Sequence, residues 1–135
     1  MKHYVRYMDD MLILVKTKED ANRLLEEIND ELKKIGLQMN NKSCIGRIQD
    51  GFTFLNVNFK LTSTGKIKKK LGKKTISREL CRLKSLAKKL KSGRCSVNVF
   101  MQHVNSWFGS NRCKMSKGQL KMMRKNIYLY LMSKQ

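Results

Sequence analysis

The chain has 135 residues, 41% of them hydrophobic, and it carries 30 Lys and Arg against 10 Asp and Glu, a net charge of +20. This length allows one domain, or one domain with a small appendage, around a modest core. The longest apolar run, Met11 to Val15, is too short for a membrane span. The four cysteines form no C-x-x-C pair, which argues against structural zinc, and no signal peptide is recognisable, so we expect reduced thiols in a cytoplasmic protein.

The first 61 residues predict short strands around one helix. Residues 2 to 15 predict a β-hairpin, because "HYVRY" alternates, "MLILV" resembles a strand covered on both faces, and "MDD" between them provides turn residues. Residues 18 to 35 predict an amphipathic helix that ends at Gly36. "LQMNNKSCIGRI" predicts two short strands about a turn at Asn40–Asn41, and residues 51 to 61 predict one strand of a second hairpin, with "STG" as its turn and "KIKKKL" as its return.

From about Thr75 the apolar spacing becomes helical, and three helices are predicted. Gly93 ends the first, Ser96 caps the second, Gly109 ends the second, and "SKGQ" at Ser116 to Gln119 predicts a capping box for the third. The expected inward residues are Ile76, Leu80, Leu83, Ala87 and Leu90, then Val97, Phe100, Val104 and Trp107 or Phe108, then Leu120, Met123, Ile127 and Tyr130 or Leu131. The predicted fold class is therefore α+β, with a hairpin, a helix and short antiparallel strands before three helices.

Charge is distributed unevenly along the chain. Residues 1–50 carry nine basic and nine acidic side chains, whereas residues 51–135 carry 21 basic side chains and one acid, Glu79. Such a basic segment favours a polyanionic partner, most often nucleic acid and less often an anionic membrane surface. A basic surface that serves only solubility remains the simpler alternative.

Two adjacent acids, Asp9 and Asp10, stand at the tip of the first predicted hairpin. Neighbouring carboxylates repel each other, and a divalent cation between them and a substrate offsets that repulsion. Two such ions about 3.5–4 Å apart can carry phosphoryl transfer. For an isolated Asp-Asp pair a solvated turn is the commoner explanation, but the preceding aromatic residue, the apolar strands and the basic second half favour metal chemistry here.

"YVRYMDDMLILV" strongly resembles the YxDD palm hairpin of reverse transcriptases, and Arg6 with the following helix is most similar to group II intron, diversity-generating and retron-like bacterial enzymes. "GLQMNNKS" resembles the next block of that family, and Lys42 takes the place of its lysine. "FTFLNVNF" resembles the primer-grip hairpin, where the family usually has glycine at the position of Asn56. "SVNVFMQHVNSWFGSNRC" resembles the helical thumb. The resemblance is strong over residues 2–61 and weak after 75.

The resemblance implies a domain division and a catalytic site. Residues 1–70 correspond to the C-terminal part of a polymerase palm with its primer-grip hairpin, and residues 75–135 to a three-helix thumb. Asp9 and Asp10 are the expected catalytic ligands of Mg²⁺, with Mn²⁺ as a substitute. Lys42 is expected near the triphosphate, where it assists proton transfer to pyrophosphate, although a solvated turn lysine is an equal alternative.

The expected partners are an RNA template and a DNA primer, with a deoxynucleoside triphosphate in the full enzyme and no membrane. The expected nucleic-acid contacts are Tyr7, Met8, Phe54, Leu55, Lys68, Lys69, Lys70, Lys73, Lys74, Arg78 and Arg82. For Phe54 and Leu55, an ordinary core position is an equal alternative to primer contact. For Trp107 and Phe108, a core position is favoured over base stacking.

The family also has fingers and a first half of the palm, with another metal-binding aspartate, upstream of the hairpin. We therefore expect this sequence to be a polymerase fragment that is inactive alone and that is completed by a fingers–palm segment or a second copy. Two alternatives stay open: a non-catalytic nucleic-acid-binding module, and a subunit that complements a polymerase in trans.

Overall fold

The computed structural model describes residues 3–132, which form two antiparallel sheets and four α-helices. The α+β fold class is confirmed. The elements in chain order are β1 (His3–Tyr7), β2 (Asp10–Leu14), α1 (Lys18–Lys34), β3 (Phe52–Phe54), β4 (Val57–Leu61), β5 (Ile67–Leu71), α2 (Lys73–Lys91), α3 (Val97–Asn111), a 3₁₀ turn (Arg112–Lys114) and α4 (Lys117–Met132). Within residues 3–132, no helix combines the length and apolar character needed to cross a membrane.

The first hairpin is present, with a shorter turn than predicted. Strands β1 and β2 pair from His3 with Leu14 to Tyr7 with Asp10, so Asp10 is already a strand residue and only Met8 and Asp9 form the loop. The expectation that "MLILV" is covered on both faces is wrong for the described chain. Its residues are half-buried or exposed, because little of the described chain covers them.

Helix α1 begins and ends where its sequence signals predict. The Thr17 hydroxyl accepts a hydrogen bond from the Asp20 amide at 3.1 Å, which caps the N-terminus. Gly36 has φ of +73°, and the amides of Gly36 and Leu37 donate to Lys33 and Leu32. This is the C-terminal pattern that glycine favours. The apolar face of α1 is half-buried, and none of its residues is fully buried.

Two strands predicted between residues 37 and 48 are absent. The polar turn is present, since the Ser43 amide donates to the Asn40 carbonyl and the Lys42 amide donates to the Asn40 side chain. The flanking segments have no ladder partner in the described chain, and local alternation without a partner strand does not make a sheet.

Residues 51–61, predicted as a single strand, are two strands joined by a tight turn at Leu55 and Asn56. Both turn residues have positive φ, 49° and 63°, the combination that a two-residue hairpin of type I′ requires. Asn tolerates this region well, whereas Leu does not. The second predicted hairpin is confirmed, because β4 pairs with β5 around the turn at Thr62–Lys66. The outcome is a three-stranded meander.

Helices α3 and α4 have the predicted N-terminal caps. The Ser96 hydroxyl accepts from the Val99 amide, and Ser116 and Gln119 exchange the two hydrogen bonds of a capping box, at 3.2 and 3.1 Å. Two expectations for α3 are wrong. Val97 is 41% exposed because it lies in the first turn, and Gly109 lies inside the helix, which continues to Asn111.

One core joins the meander to these helices. The buried apolar residues of the described chain are Val57, Leu71, Ile76, Leu83, Ala87, Leu90, Phe100, Val104, Met115, Met123 and Ile127. Trp107, Phe108, Leu120, Tyr130 and Leu131 pack against them as partly buried residues. The hairpin and α1 contribute no buried residue, so the described core lies entirely between residues 57 and 127.

Candidate active site

The tip of the β1–β2 hairpin carries the two aspartates. Tyr7 pairs with Asp10 as the last rung of the ladder, and Asp9 follows Met8 in the two-residue loop. Met8 has φ of 51°, a left-handed conformation that is uncommon for a residue other than glycine. A two-residue hairpin loop requires positive φ at its first residue, so this conformation follows from the tight turn.

Both carboxylates are exposed, and within residues 3–132 neither the Asp9 nor the Asp10 side chain makes a hydrogen bond or an ion pair. Their oxygens are thus available to a cation, and two carboxylates match the one or two that Mg²⁺ usually takes. Across the same residues, no group of three or more His, Cys, Asp and Glu side chains is placed to hold a metal. The pair fits a magnesium site that substrate oxygens, water or a further carboxylate would complete.

Arg6 stabilises this tip. Its Nε donates to the carbonyl oxygen of Met8 at 2.9 Å, across the turn. The bond satisfies a carbonyl group at the strained residue and leaves the terminal guanidinium nitrogens free for an anionic group. Sequence reasoning used Arg6 only as a family marker; its spacing of two residues from the turn was the available signal.

Tyr7 and Met8 have the exposure expected of residues that contact a substrate. Tyr7 is 55% exposed and Met8 is 74% exposed. In the loop, the Met8 side chain is among the most exposed apolar groups of the described chain. Their role in nucleic acid contact stays a prediction.

Lys42 lies in the polar turn after α1, and its side chain is exposed. Its amide donates to Asn40 Oδ1 at 2.8 Å, which fixes the turn. No hydrogen bond or ion pair within residues 3–132 joins Lys42 to Asp9 or Asp10. Asp9 and Asp10 are thus neighbours through the sequence at the hairpin tip, and Lys42 is a separate exposed cation.

Phe54 and Leu55 lie at the β3–β4 turn. Phe54 is half-buried and pairs with Val57, whereas Leu55 is 41% exposed at the turn itself. Gly72 packs under this turn, because its amide donates to the Asn56 carbonyl at 2.8 Å. Leu55 is accordingly presented outward on a turn that the start of α2 supports.

The seven basic residues predicted to contact nucleic acid form two sets, and all seven are exposed. On β5 and at the start of α2 lie Lys68, Lys69, Lys70, Lys73 and Lys74. Arg78 and Arg82 follow Lys74 along α2 at intervals of four residues, so these three share one face of the helix. That face is distinct from the one that buries Ile76 and Leu83.

Residues 1–59 match the family model for reverse transcriptase (RNA-dependent DNA polymerase). Over these residues the chain is similar to reverse transcriptases. The match includes Asp9, Asp10, Lys42, Phe54 and Leu55, and it ends before the lysines of β5. Comparison with curated proteins and with solved structures gave no match.

The structure also shows a pair of polar side chains, one buried and one partly buried, that was not predicted from the sequence. Glu79 is 3% exposed, and its Oε1 lies 2.8 Å from Nε2 of His103 on α3. The signal was present, because Glu79 falls on the apolar stripe between Ile76 and Leu83. An unpaired carboxylate there would carry a large desolvation cost, and His103 removes it.

Proposed function

We propose that this chain is the palm-and-thumb part of an RNA-directed DNA polymerase of the bacterial reverse transcriptase kind. The observation that supports this most directly is the pair Asp9 and Asp10, unpaired at a hairpin tip inside the segment that matches the family. Residues 1–70 would form the C-terminal palm, and residues 75–135 the thumb.

In this proposal Asp9 and Asp10 hold Mg²⁺ or Mn²⁺. When bound, two such ions activate an attacking hydroxyl and stabilise a leaving oxygen. The chain itself would hold the ions through the two carboxylates, orient the turn through Arg6, and present Lys42 as a proton donor to the leaving pyrophosphate. Phe54 and Leu55 would position the primer terminus.

The basic second half would bind the primer–template. Residues 60–94 contain 14 basic side chains and one acid. That acid, Glu79, is buried against His103, so it does not offset the exposed charge. Lysine–phosphate contacts supply affinity that is largely independent of sequence. A deoxynucleoside triphosphate and a fingers–palm segment with a further carboxylate would complete the enzyme, in cis, in trans or through a second copy.

Primer extension on an RNA template with magnesium tests the proposal. We expect no product from the 135-residue chain alone, and product after a fingers–palm segment of a related reverse transcriptase is added. Asp9→Asn should abolish that product, and Asp10→Asn should reduce it less, because the family resemblance assigns the first acid to the metals most firmly. Glu26→Gln, at an exposed position of α1, is the control that removes one acid elsewhere in the matched segment. Product from the chain alone would contradict the fragment hypothesis.

A non-catalytic nucleic-acid-binding module is the second candidate. It is favoured by the position of the core, because all buried apolar residues of the described chain lie beyond residue 56, away from the aspartates, and the excess of basic over acidic residues lies in the same part of the sequence. Salt-sensitive binding of an RNA–DNA hybrid without any complemented extension would support this candidate. Complemented extension that requires Asp9 would exclude it.

A further inference from the structure

The pairing of β4 with β5 divides the lysine run of β5 between two faces. Asn58 pairs with Lys70, Phe59 with Lys69, and Lys60 with Lys68. Directly paired residues lie on the same face of a sheet, and successive residues alternate. Lys60, Lys68 and Lys70 therefore project from one face, whereas Lys69 projects from the opposite face beside Phe59.

The face with the three lysines is the floor of a shallow groove. Two adjoining concave regions, of about 590 and about 780 Å³, share Thr53, Asn58 and Lys70 in their linings. The first extends towards Lys60 and Lys68, and the second extends past Lys73 and Lys74 to the start of α4. Because the shared residues link the regions, we treat them as one shallow groove that extends from Lys60 and Lys68 past Lys70 to Lys73 and Lys74.

The charges of this groove have no counter-ion in the described chain. Among residues 3–132, the side chains of Lys60, Lys68, Lys70, Lys73 and Lys74 take part in no ion pair. Among the described residues that line the groove, Asp50 at one end is the one acidic residue. Alternate side chains on one strand lie about 6.6 Å apart, so Lys68 and Lys70 present a regular row of ammonium groups.

The floor between the lysines is polar. The Thr53 hydroxyl donates to Asn58 Oδ1 at 2.6 Å, which orients the Asn58 amide. Asn58 Nδ2 lies 3.5 Å from the Lys70 carbonyl oxygen, a long contact that leaves its N–H groups available to an acceptor. An elongated, concave, unpaired cationic surface fits an extended polyanion better than it fits a flat membrane.

We infer that this groove binds the sugar–phosphate backbone of one nucleic acid strand, with Lys60, Lys68 and Lys70 on the phosphates and Lys69 outside the contact. The inference rests on the proposed function, and it restricts the predicted nucleic acid contact on the meander to one face of the sheet. Lys60 was absent from the contacts predicted from the sequence, whereas Lys69 was among them.

Three single variants of the full chain test the inference: Lys68→Gln, Lys69→Gln and Lys70→Gln. Each removes one charge from an exposed position of the same strand, so Lys69→Gln is the matched control. Binding of a fluorescein-labelled RNA–DNA hybrid is followed by anisotropy across a salt series. We expect Lys68→Gln and Lys70→Gln each to reduce the log–log salt slope by about 0.7–0.9, and Lys69→Gln to leave it unchanged.

The outcomes separate this inference from the proposed function. Equal slope changes in all three variants, with complemented primer extension intact, would overturn the groove and leave the polymerase proposal standing. Absence of hybrid binding by the unmodified chain would overturn both. Binding to vesicles containing phosphatidylserine, weakened by Lys68→Gln and Lys70→Gln but without hybrid binding, would replace the nucleic acid strand with a membrane surface. Loss confined to Lys68→Gln and Lys70→Gln on the hybrid would establish the groove.

Discussion

The Gln119 side chain and the Leu71 backbone are joined by two hydrogen bonds. Gln119 Oε1 accepts from the Leu71 amide at 3.0 Å, and Gln119 Nε2 donates to the Leu71 carbonyl at 2.8 Å. The same Oε1 accepts from the Ser116 amide at 3.1 Å. The Gln119 side-chain amide thus pairs with the outer edge of β5 as a peptide group would. It thereby links the N-terminal cap of α4 to the meander.

Gln119→Ala should lower the free energy of unfolding by about 1–3 kcal/mol, because it leaves the partly buried Leu71 amide and carbonyl without partners. The measurement is urea unfolding followed by circular dichroism. Gln102→Ala, at an exposed position of α3, is the control and should change stability by less than about 0.5 kcal/mol. Equal losses in the two variants would show that the bridge contributes nothing beyond helix propensity.

Leu55→Asn should stabilise the chain and impair its proposed activity. Leu55 adopts φ of 49°, which costs a residue of this kind about 1–2 kcal/mol, and Asn tolerates the same conformation. We expect a gain of about 1 kcal/mol in thermal or urea unfolding, with reduced primer extension in the complemented assay. Asn56→Gly, at the neighbouring turn position, is the control that relaxes the backbone while retaining the Leu55 side chain. Activity retained by Leu55→Asn would remove this side chain from primer positioning.

Trp107→Ala should act on folding rather than on binding. Trp107 packs against the core and meets Phe108 edge-on, with ring centroids 5.6 Å apart and planes at 77°. Truncation of a core Trp costs about 3–5 kcal/mol, and the half-buried position favours the lower value. Hybrid binding measured below the unfolding transition should be unchanged. Lost binding at unchanged stability would identify a stacking residue instead, worth about 1–3 kcal/mol per base.

Glu79 and His103 should show a coupling of about 1–3 kcal/mol in a double-mutant cycle. His103→Ala leaves the carboxylate of Glu79 buried without its partner, and Glu79→Gln removes that carboxylate, so the double variant should be destabilised less than the sum of the two single variants. His3→Ala, at an exposed position of β1, is the control. Additive effects of Glu79→Gln and His103→Ala would mean that the 2.8 Å contact carries no net energy.

Local signals predicted much of this fold. The caps at Ser96 and Ser116, the stop at Gly36 and the apolar stripe of α2 are each decided within a few residues, and each is confirmed. The turn at Leu55 and Asn56 was missed because Leu has no turn preference; the break in alternation at Leu55 and the turn-favouring Asn56 were the available signs. The strands near residues 37–48 failed for a different reason, since alternation cannot reveal whether a partner strand exists.

The candidate site was predictable in its residues and less so in its arrangement. The pair Asp9 and Asp10 is read directly from the motif, and the structure adds the unpaired state of both carboxylates and the support from Arg6. The register of β4 with β5 decides that Lys68 and Lys70 project from one face of the sheet and Lys69 from the other. The sequence specifies this register only once the position of the second turn is known. The Gln119 bridge spans 48 positions, beyond any local pattern.

The position of the core also determines which backbone amides exchange their hydrogens slowly and which exchange them quickly. Phe100 and Met123 are fully buried at the centre of the helices, so amides around them should exchange only when the whole chain unfolds. The hairpin that carries Asp9 has no buried residue and should open locally at a small fraction of that free energy. Protection of the hairpin amides against deuterium exchange would therefore report directly on a partner that covers the hairpin. A partner that brings catalytic groups to the aspartates would slow exchange at Arg6 and Met11, and this can be measured before any turnover.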